Sequence, residues 1–225
     1  TLTQQIGGSW TPSKKVALDV TGKAGWHPNI VYSSTDVLAT WVQGEAPFLG
    51  TSPSAIRQQT LDQDLNSVNT QTIITPVYGF VSPDVTIAST GIHLVFSASR
   101  DSDPNEISKW NLYYMHRPLT TSTWSTPTAV ITFSEVLTPG MSGQVWYPRL
   151  AIGQDGTDLH IVWQQEAGSR NRKVWYLHGT WAATGITWDA PQRVSPIEPD
   201  AILPNIAVDH ENQVHISWSE FIGAY

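Results

Sequence analysis

The chain has 225 residues and a formal net charge of -7, with no Cys, 11 Trp and only 14% charged residues. A chain of this length can bury a substantial core, and its acidic balance argues against nucleic-acid phosphate as a partner. The absence of Cys excludes disulfides, thiolate catalysis and Cys-ligated metals, and no apolar run reaches the roughly 18 residues that a membrane-spanning helix needs.

The N-terminal segment, residues 1–16, has the pattern of the end of a repeat. A Trp followed six residues later by a Val, with Pro between them, occurs at 10–16, 124–130 and 188–194. Pro is tolerated in an outer strand because an edge strand loses no ladder hydrogen bond. The spacing therefore predicts an outer strand at each of these places.

A second pattern begins with a proline and ends with an aromatic residue. Four prolines share it: Pro28, Pro83, Pro148 and Pro204. Each is followed 13 to 15 residues later by an aromatic side chain, namely Trp41, Phe96, Trp163 or Trp218. Turn-forming residues lie between the two, so each copy predicts an antiparallel hairpin.

These patterns repeat along the whole chain. The strand-opening prolines are 55, 65 and 56 residues apart, and no helical periodicity interrupts them. Four-stranded repeats of this length predict an all-β fold, a β-propeller of four antiparallel blades in a single domain, residues 1–225. The predicted blades are 27–77, 82–130, 147–194, and 203–225 together with 1–16. The last blade is completed either by the N-terminal strands or by further blades of a larger ring.

One turn resembles a known motif. Thr184-Gly185-Ile186-Thr187-Trp188 keeps the second half of the Asp-box (BNR repeat) of sialidase-like propellers, Ser-x-Asp-x-Gly-x-Thr-Trp. The Asp of that pattern is replaced in every copy, so the boxes are degenerate. The resemblance implies a sialidase-like propeller fold. It does not carry over sialidase catalysis, because no three arginines or Tyr/Glu/Asp set can be assigned, and Arg149 follows its proline where the family motif has Arg before Pro.

The starts of the four inner strands should converge at the central face of such a propeller. We expect the ligand-binding residues to be Trp26, His27, Asn29, Asp84, Trp146, Tyr147, Arg149 and Asn205. Aromatic rings pack against the C–H faces of sugars, and amides, Arg and Asp pair with hydroxyls. This mixture favours a carbohydrate, although the same residues could simply cap strands and fill the channel.

The function that this pattern favours is a non-catalytic extracellular or cell-surface propeller that binds a glycan or a protein partner. The alternatives are a sialidase-like glycoside hydrolase and a structural module of a larger assembly. No cofactor and no metal site are expected. His93, His160 and His215 recur once per repeat, which indicates a structural role for each rather than a shared metal.

Overall fold

The computed structural model describes residues 23–33, 35–44, 53–99, 110–132, 144–166 and 172–221. Every regular element in these ranges is a β-strand, and every strand pairing is antiparallel, which confirms the all-β prediction. Among the described residues, no helix is long and apolar enough to cross a membrane. The N-terminal strand predicted at 1–16 lies outside the described residues.

The strands form three hydrogen-bonded sheets in chain order. The first contains β1 (Ala24–Tyr32), β2 (Val37–Gly44), β3 (Ser54–Leu61), β4 (Ser67–Ala88), β5 (Gly91–Ser99), β6 (Asn111–Arg117) and β7 (Thr128–Ile131). The second contains β8 (Val145–Ile152), β9 (Asp158–Glu166), β10 (Arg172–Ala182), β11 (Gly185–Trp188) and β12 (Gln192–Arg193). The third is the hairpin of β13 (Asp200–Val208) and β14 (Val214–Phe221).

Strand β4 is unusually long because it serves two sets of neighbours. Residues 67–77 pair with β3, and residues 78–88 pair with β5. The pairing is irregular between Tyr78 and Ser82, where Gly79 has a φ of 77°. The sequence predicts separate strands on either side of this point, and that prediction is wrong. The chain changes partner within one strand instead of breaking at Pro83.

The predicted outer strands differ in detail from the observed ones. In residues 188–194, β11 ends at Trp188, and β12 covers only Gln192–Arg193, with Pro191 between the two strands. Trp124 lies in the loop that precedes β7 rather than in a strand. An interior proline lacks the N–H that would continue a ladder, which accounts for the interruption of the strand in residues 188–194.

The core consists of three apolar clusters between successive groups of strands. Successive residues of one strand belong to different clusters: Leu94 and Phe96 face the first cluster, whereas Val95 belongs to the second. The same alternation places Trp163 in the second cluster and Val162 in the third. Side chains on successive strand residues point to opposite faces, so each central strand is covered on both sides.

Candidate functional site

Strands β1, β8 and β13 share a bulge that begins at the residue before their proline. The ladder jumps from Trp26 to Asn29 in β1, from Trp146 to Arg149 in β8, and from Ile202 to Asn205 in β13. In each case two residues of the strand that contains the proline oppose a single Trp of its hairpin partner, β2, β9 or β14. Bulges of this kind redirect side chains at sheet ends.

The first residue of each bulge has a left-handed backbone. The φ angles are 50° at His27, 48° at Tyr147 and 53° at Leu203. Residues other than glycine rarely adopt such angles, because Cβ approaches the following carbonyl oxygen. Ser82, which precedes Pro83, does not share this conformation. The bulge is therefore a repeated feature of β1, β8 and β13 that β4 lacks.

A cavity of about 490 Å³ opens where β1, β8 and the Ser82–Pro83 part of β4 meet. Its lining residues are His27, Pro28, Asn29, Ile30, Ser82, Pro83 and Arg149. The Ser82 side chain is only 1% exposed, and its hydroxyl has no hydrogen-bond partner among the described residues. A buried hydroxyl without a partner costs free energy unless a ligand or water satisfies it.

Asp84 of β4 connects the three strands that form the cavity by bonding to both β1 and β8. One carboxylate oxygen accepts a hydrogen bond from the side-chain amide of Asn29, and the other accepts the backbone N–H of Leu150 at 2.7 Å. Burial raises the pKa of Asp84 to about 6, although these hydrogen bonds and the Arg149 charge favour the ionised form. Desolvation therefore outweighs them.

Arg149 brings a positive charge to the cavity wall. One of its terminal N–H groups donates to the Pro148 carbonyl at 3.1 Å, and the side chain makes no other hydrogen bond within the described part of the chain. Burial, assisted by the Arg149 charge, lowers the pKa of His27, so this imidazole is neutral at pH 7. The lining residues include no carboxylate, which leaves the cavity wall with a single formal charge.

Aromatic rings lie beside the cavity. The His27 and Tyr147 rings meet edge to face, with centroids 6.4 Å apart, and Tyr147 lies 6.3 Å from Trp146. Trp146 in turn makes an edge contact with Trp110, at 4.4 Å between centroids. The rings of His27, Tyr147, Trp146 and Trp110 thus form one connected group.

The eight predicted site residues are only partly brought together. Direct contacts or electrostatic interactions connect five of them: His27, Asn29, Asp84, Tyr147 and Arg149. Trp146 joins them through Tyr147.

Five of the predicted site residues are not lining residues of the cavity: Trp26, Asp84, Trp146, Tyr147 and Asn205. Trp26 packs against the first apolar cluster. Asn205 is exposed, and its side-chain oxygen accepts the N–H of Ile206. Ser82 lines the cavity and precedes Pro83, as His27 and Tyr147 precede their prolines, but it is not among the eight predicted residues.

The three repeated histidines have separate partners. His93 contacts the hydroxyls of Tyr114 at 2.7 Å and Thr90 at 2.9 Å, and His160 contacts the Tyr176 hydroxyl at 2.7 Å. The remaining one, His215, pairs with an acidic neighbour at 2.7 Å. No group of three or more potential metal ligands occurs in the described part of the chain.

Comparison with known proteins reveals similarity of fold. No protein-family model matches the sequence, and no curated protein matches it either. The chain is similar to the crystal structure of a thermostable family-43 glycoside hydrolase, with 18% identity and a TM-score of 0.50. That match covers 81% of this chain and 62% of the hydrolase chain. An ACO/RPE65 chimera matches at 11% identity and a TM-score of 0.47, over 83% of this chain and 42% of that one.

The hydrolase match bears on the fold alone. The chain spans less than two thirds of the length of either matched structure. The hydrolase has a propeller-like fold, which agrees with the coarse architecture expected from the repeats. The Asp-box resemblance has no support from a family model. The chain is an all-β protein of antiparallel sheets with a propeller-like structural neighbour.

Proposed function

We propose that this protein binds a glycan, without cleaving it, in the cavity between β1, β8 and the Ser82–Pro83 part of β4. The observation that carries the proposal is the cavity wall, where the Asn29 amide, the unpartnered Ser82 hydroxyl and the Arg149 guanidinium meet. Sugar hydroxyls need donors and acceptors placed in this way, and neighbouring rings can cover their C–H faces. A protein ligand is the other partner that this surface could accept.

The position of Asp84 supports a binding role over a catalytic one. A general acid or base must reach the proton that it transfers. Both Asp84 oxygens instead accept hydrogen bonds from the protein, and the residue does not line the cavity. Asp84 therefore acts on a ligand through Asn29 and the β8 backbone, whose positions it fixes.

A glycoside hydrolase is the second candidate, and one observation favours it. Burial brings the pKa of Asp84 to about 6, which is a suitable value for a general acid. The propeller-like fold of a family-43 glycoside hydrolase is compatible with either function, because one fold hosts many activities. A sialidase-like reaction would require further carboxylates and arginines near Arg149, and the cavity lining provides none.

We further propose that the sheets are propeller blades, with boundaries near 27–77, 82–130, 147–194, and 203–225 with 1–16. The partner change within β4 and the three apolar clusters support such a division. An extracellular or cell-surface location is part of the same proposal and rests on the Cys-free composition with few charged residues. A structural module of a larger assembly is the alternative to a binding protein.

A glycan array tests the binding proposal. The wild-type protein should bind a discrete set of glycans, and Asn29→Ala should bind the same set more weakly by about tenfold, equivalent to about 1.4 kcal/mol. Products should be analysed after prolonged incubation with each bound glycan and with a fluorogenic sialoside. Turnover that Asp84→Asn abolishes would replace the binding proposal with the hydrolase, and an array without any binding would refute glycan recognition.

A further inference from the structure

A groove on the first sheet forms a second pocket; the cavity lined by Asn29, Ser82 and Arg149 is called the central cavity. The groove has a volume of about 480 Å³, and it separates residues 71–74 of β4 from the loop at 122–127. Met115 of β6 completes the lining. None of these residues lines the central cavity. The groove is therefore a separate candidate site.

Trp124 is held in a fixed orientation in this groove. Its indole N–H donates to the side-chain oxygen of Gln58 at 3.2 Å, and the ring is partly buried against the first apolar cluster. The Arg117 guanidinium lies 5.7 Å from the ring centroid and also donates to the Thr121 carbonyl at 2.9 Å. Ser125 fixes the other side of the loop by donating its N–H to the carbonyl of His116 at 2.8 Å.

Gln71 is fixed by the same buried amide. Its side-chain N–H donates to the Gln58 oxygen at 2.8 Å, and Gln58 is only 1% exposed. The side-chain oxygen of Gln71 has no donor among the described residues. One buried Gln58 amide therefore orients both a ring and an amide whose carbonyl oxygen can accept a ligand hydroxyl.

The chemistry of the lining identifies the kind of ligand. Hydroxyl side chains form much of the wall: Thr72, Ser122, Thr123, Ser125 and Thr126. Apolar surface comes from Ile73, Ile74, Met115, Trp124 and Pro127, and no lining residue carries a formal charge. A fixed aromatic surface beside amide and hydroxyl groups suits an uncharged polyhydroxyl ligand, whose C–H faces and O–H groups need both kinds of contact.

We propose that the groove at Trp124 is a binding site for a neutral polysaccharide, separate from the central cavity. Trp124 supplies the surface against which a sugar ring packs, and Gln71 with the loop hydroxyls bonds its O–H groups. Because the groove is open and lies between two elements, it takes internal sugar units of a chain and does not require a chain end. The central cavity is not needed for this binding.

Native gel electrophoresis in the presence of soluble polysaccharides tests the proposal. The polymers to use are xylan, galactomannan and mixed-linkage β-glucan, with polygalacturonate as the anionic comparison. At least one neutral polymer should retard the wild-type protein, and polygalacturonate should not. Trp124→Ala should weaken binding at least tenfold and Gln71→Ala about threefold, losses typical of a removed aromatic contact and a removed hydrogen bond.

Two control variants separate groove binding from other effects. Trp188→Ala removes the Trp at the end of β11, which has the same place in its repeat as Trp124. Trp188 packs against the second cluster, so its removal should leave retardation unchanged even if the protein is less stable. Arg193→Ala removes an exposed charge on β12, outside both cavities, and should also be retarded normally. Absence of retardation by every neutral polymer, equal losses in Trp124→Ala and Trp188→Ala, or a loss in Arg149→Ala without a loss in Trp124→Ala would each overturn the proposal.

Discussion

At the residue scale, Asp84 holds together the strands that line the cavity. It is 7% exposed and accepts hydrogen bonds from β1 and β8, so one carboxylate fixes the relative positions of Asn29 and Leu150. The sequence pattern groups Asp84 with Asn29 and Asn205, since each directly follows an inner-strand proline. The structure gives these three equivalent positions different roles: Asp84, which no bulge directly precedes, is buried, Asn29 lines the cavity, and Asn205 is exposed.

Replacement of Asp84 should change the pH dependence of stability. Its folded-state pKa of about 6 lies above the usual value of 3.8, so the folded protein binds more protons than the unfolded chain between these values. This residue's contribution to the free energy of unfolding therefore falls as pH rises from about 4 to about 6, by roughly 3 kcal/mol at most, and is constant above that range.

Urea unfolding at pH 4 and pH 7 measures this effect. Asp84→Asn lacks the titration, so its stability relative to the wild type should rise between the two pH values. The comparison across pH does not depend on the hydrogen bond that Asn itself gains or loses. An unchanged difference between wild type and variant at the two pH values would mean that Asp84 is not buried as a carboxylate.

At the element scale, the bulges and the irregular point in β4 give this sheet assembly its shape. The sequence predicts the hairpins well, because alternating apolar residues and turn residues determine strand positions. It does not predict that β4 would continue past residue 77, since Pro76 and Pro83 both favour a break. The structure accommodates the change of partner at Gly79, where the backbone adopts a φ of 77°.

Gly79→Ala should be strongly destabilising. A Cβ atom at this position would overlap the Trp110 indole, and the positive φ adds strain for any residue with a side chain. We expect a loss of about 2–4 kcal/mol in the free energy of unfolding. Gly185→Ala is the matched control, because its φ is 115° but nothing lies within 4 Å of the added atom. Equal losses in the two variants would show that the Trp110 contact is absent.

The left-handed bulge residue can be tested at Leu203, which is 51% exposed and loses little packing when truncated. Leu203→Gly relieves roughly 1–2 kcal/mol of backbone strain in the folded state. It also stabilises the unfolded chain by a similar free energy, because Gly has more conformational entropy. The free energy of unfolding should therefore change little. Leu119→Gly, at 54% exposure and without a positive φ, should cost about 1 kcal/mol. Thermal unfolding compares the two, and a larger loss at Leu203 would contradict the left-handed assignment.

At the scale of the whole molecule, successive sheets cover one another, and the last hairpin differs from the rest. Val95 and Val162 are fully buried between neighbouring sheets, whereas Ser217, at the matching place in β14, is exposed. Strand alternation in the sequence is enough to predict the covered faces. It could not predict which inner-strand side chains would reach the cavity, because a two-residue bulge changes which way the following residues point.

The central claim is that the cavity holding Asn29, Ser82 and Arg149 binds a glycan. Isothermal titration of the best glycan from the array into wild type, Arg149→Ala and Arg193→Ala tests it most directly. The two variants lose the same charge, but Arg193 lies exposed on β12, away from the cavity. We expect Arg193→Ala to bind like the wild type and Arg149→Ala to bind at least tenfold more weakly. Equal affinities for all three proteins would contradict the account.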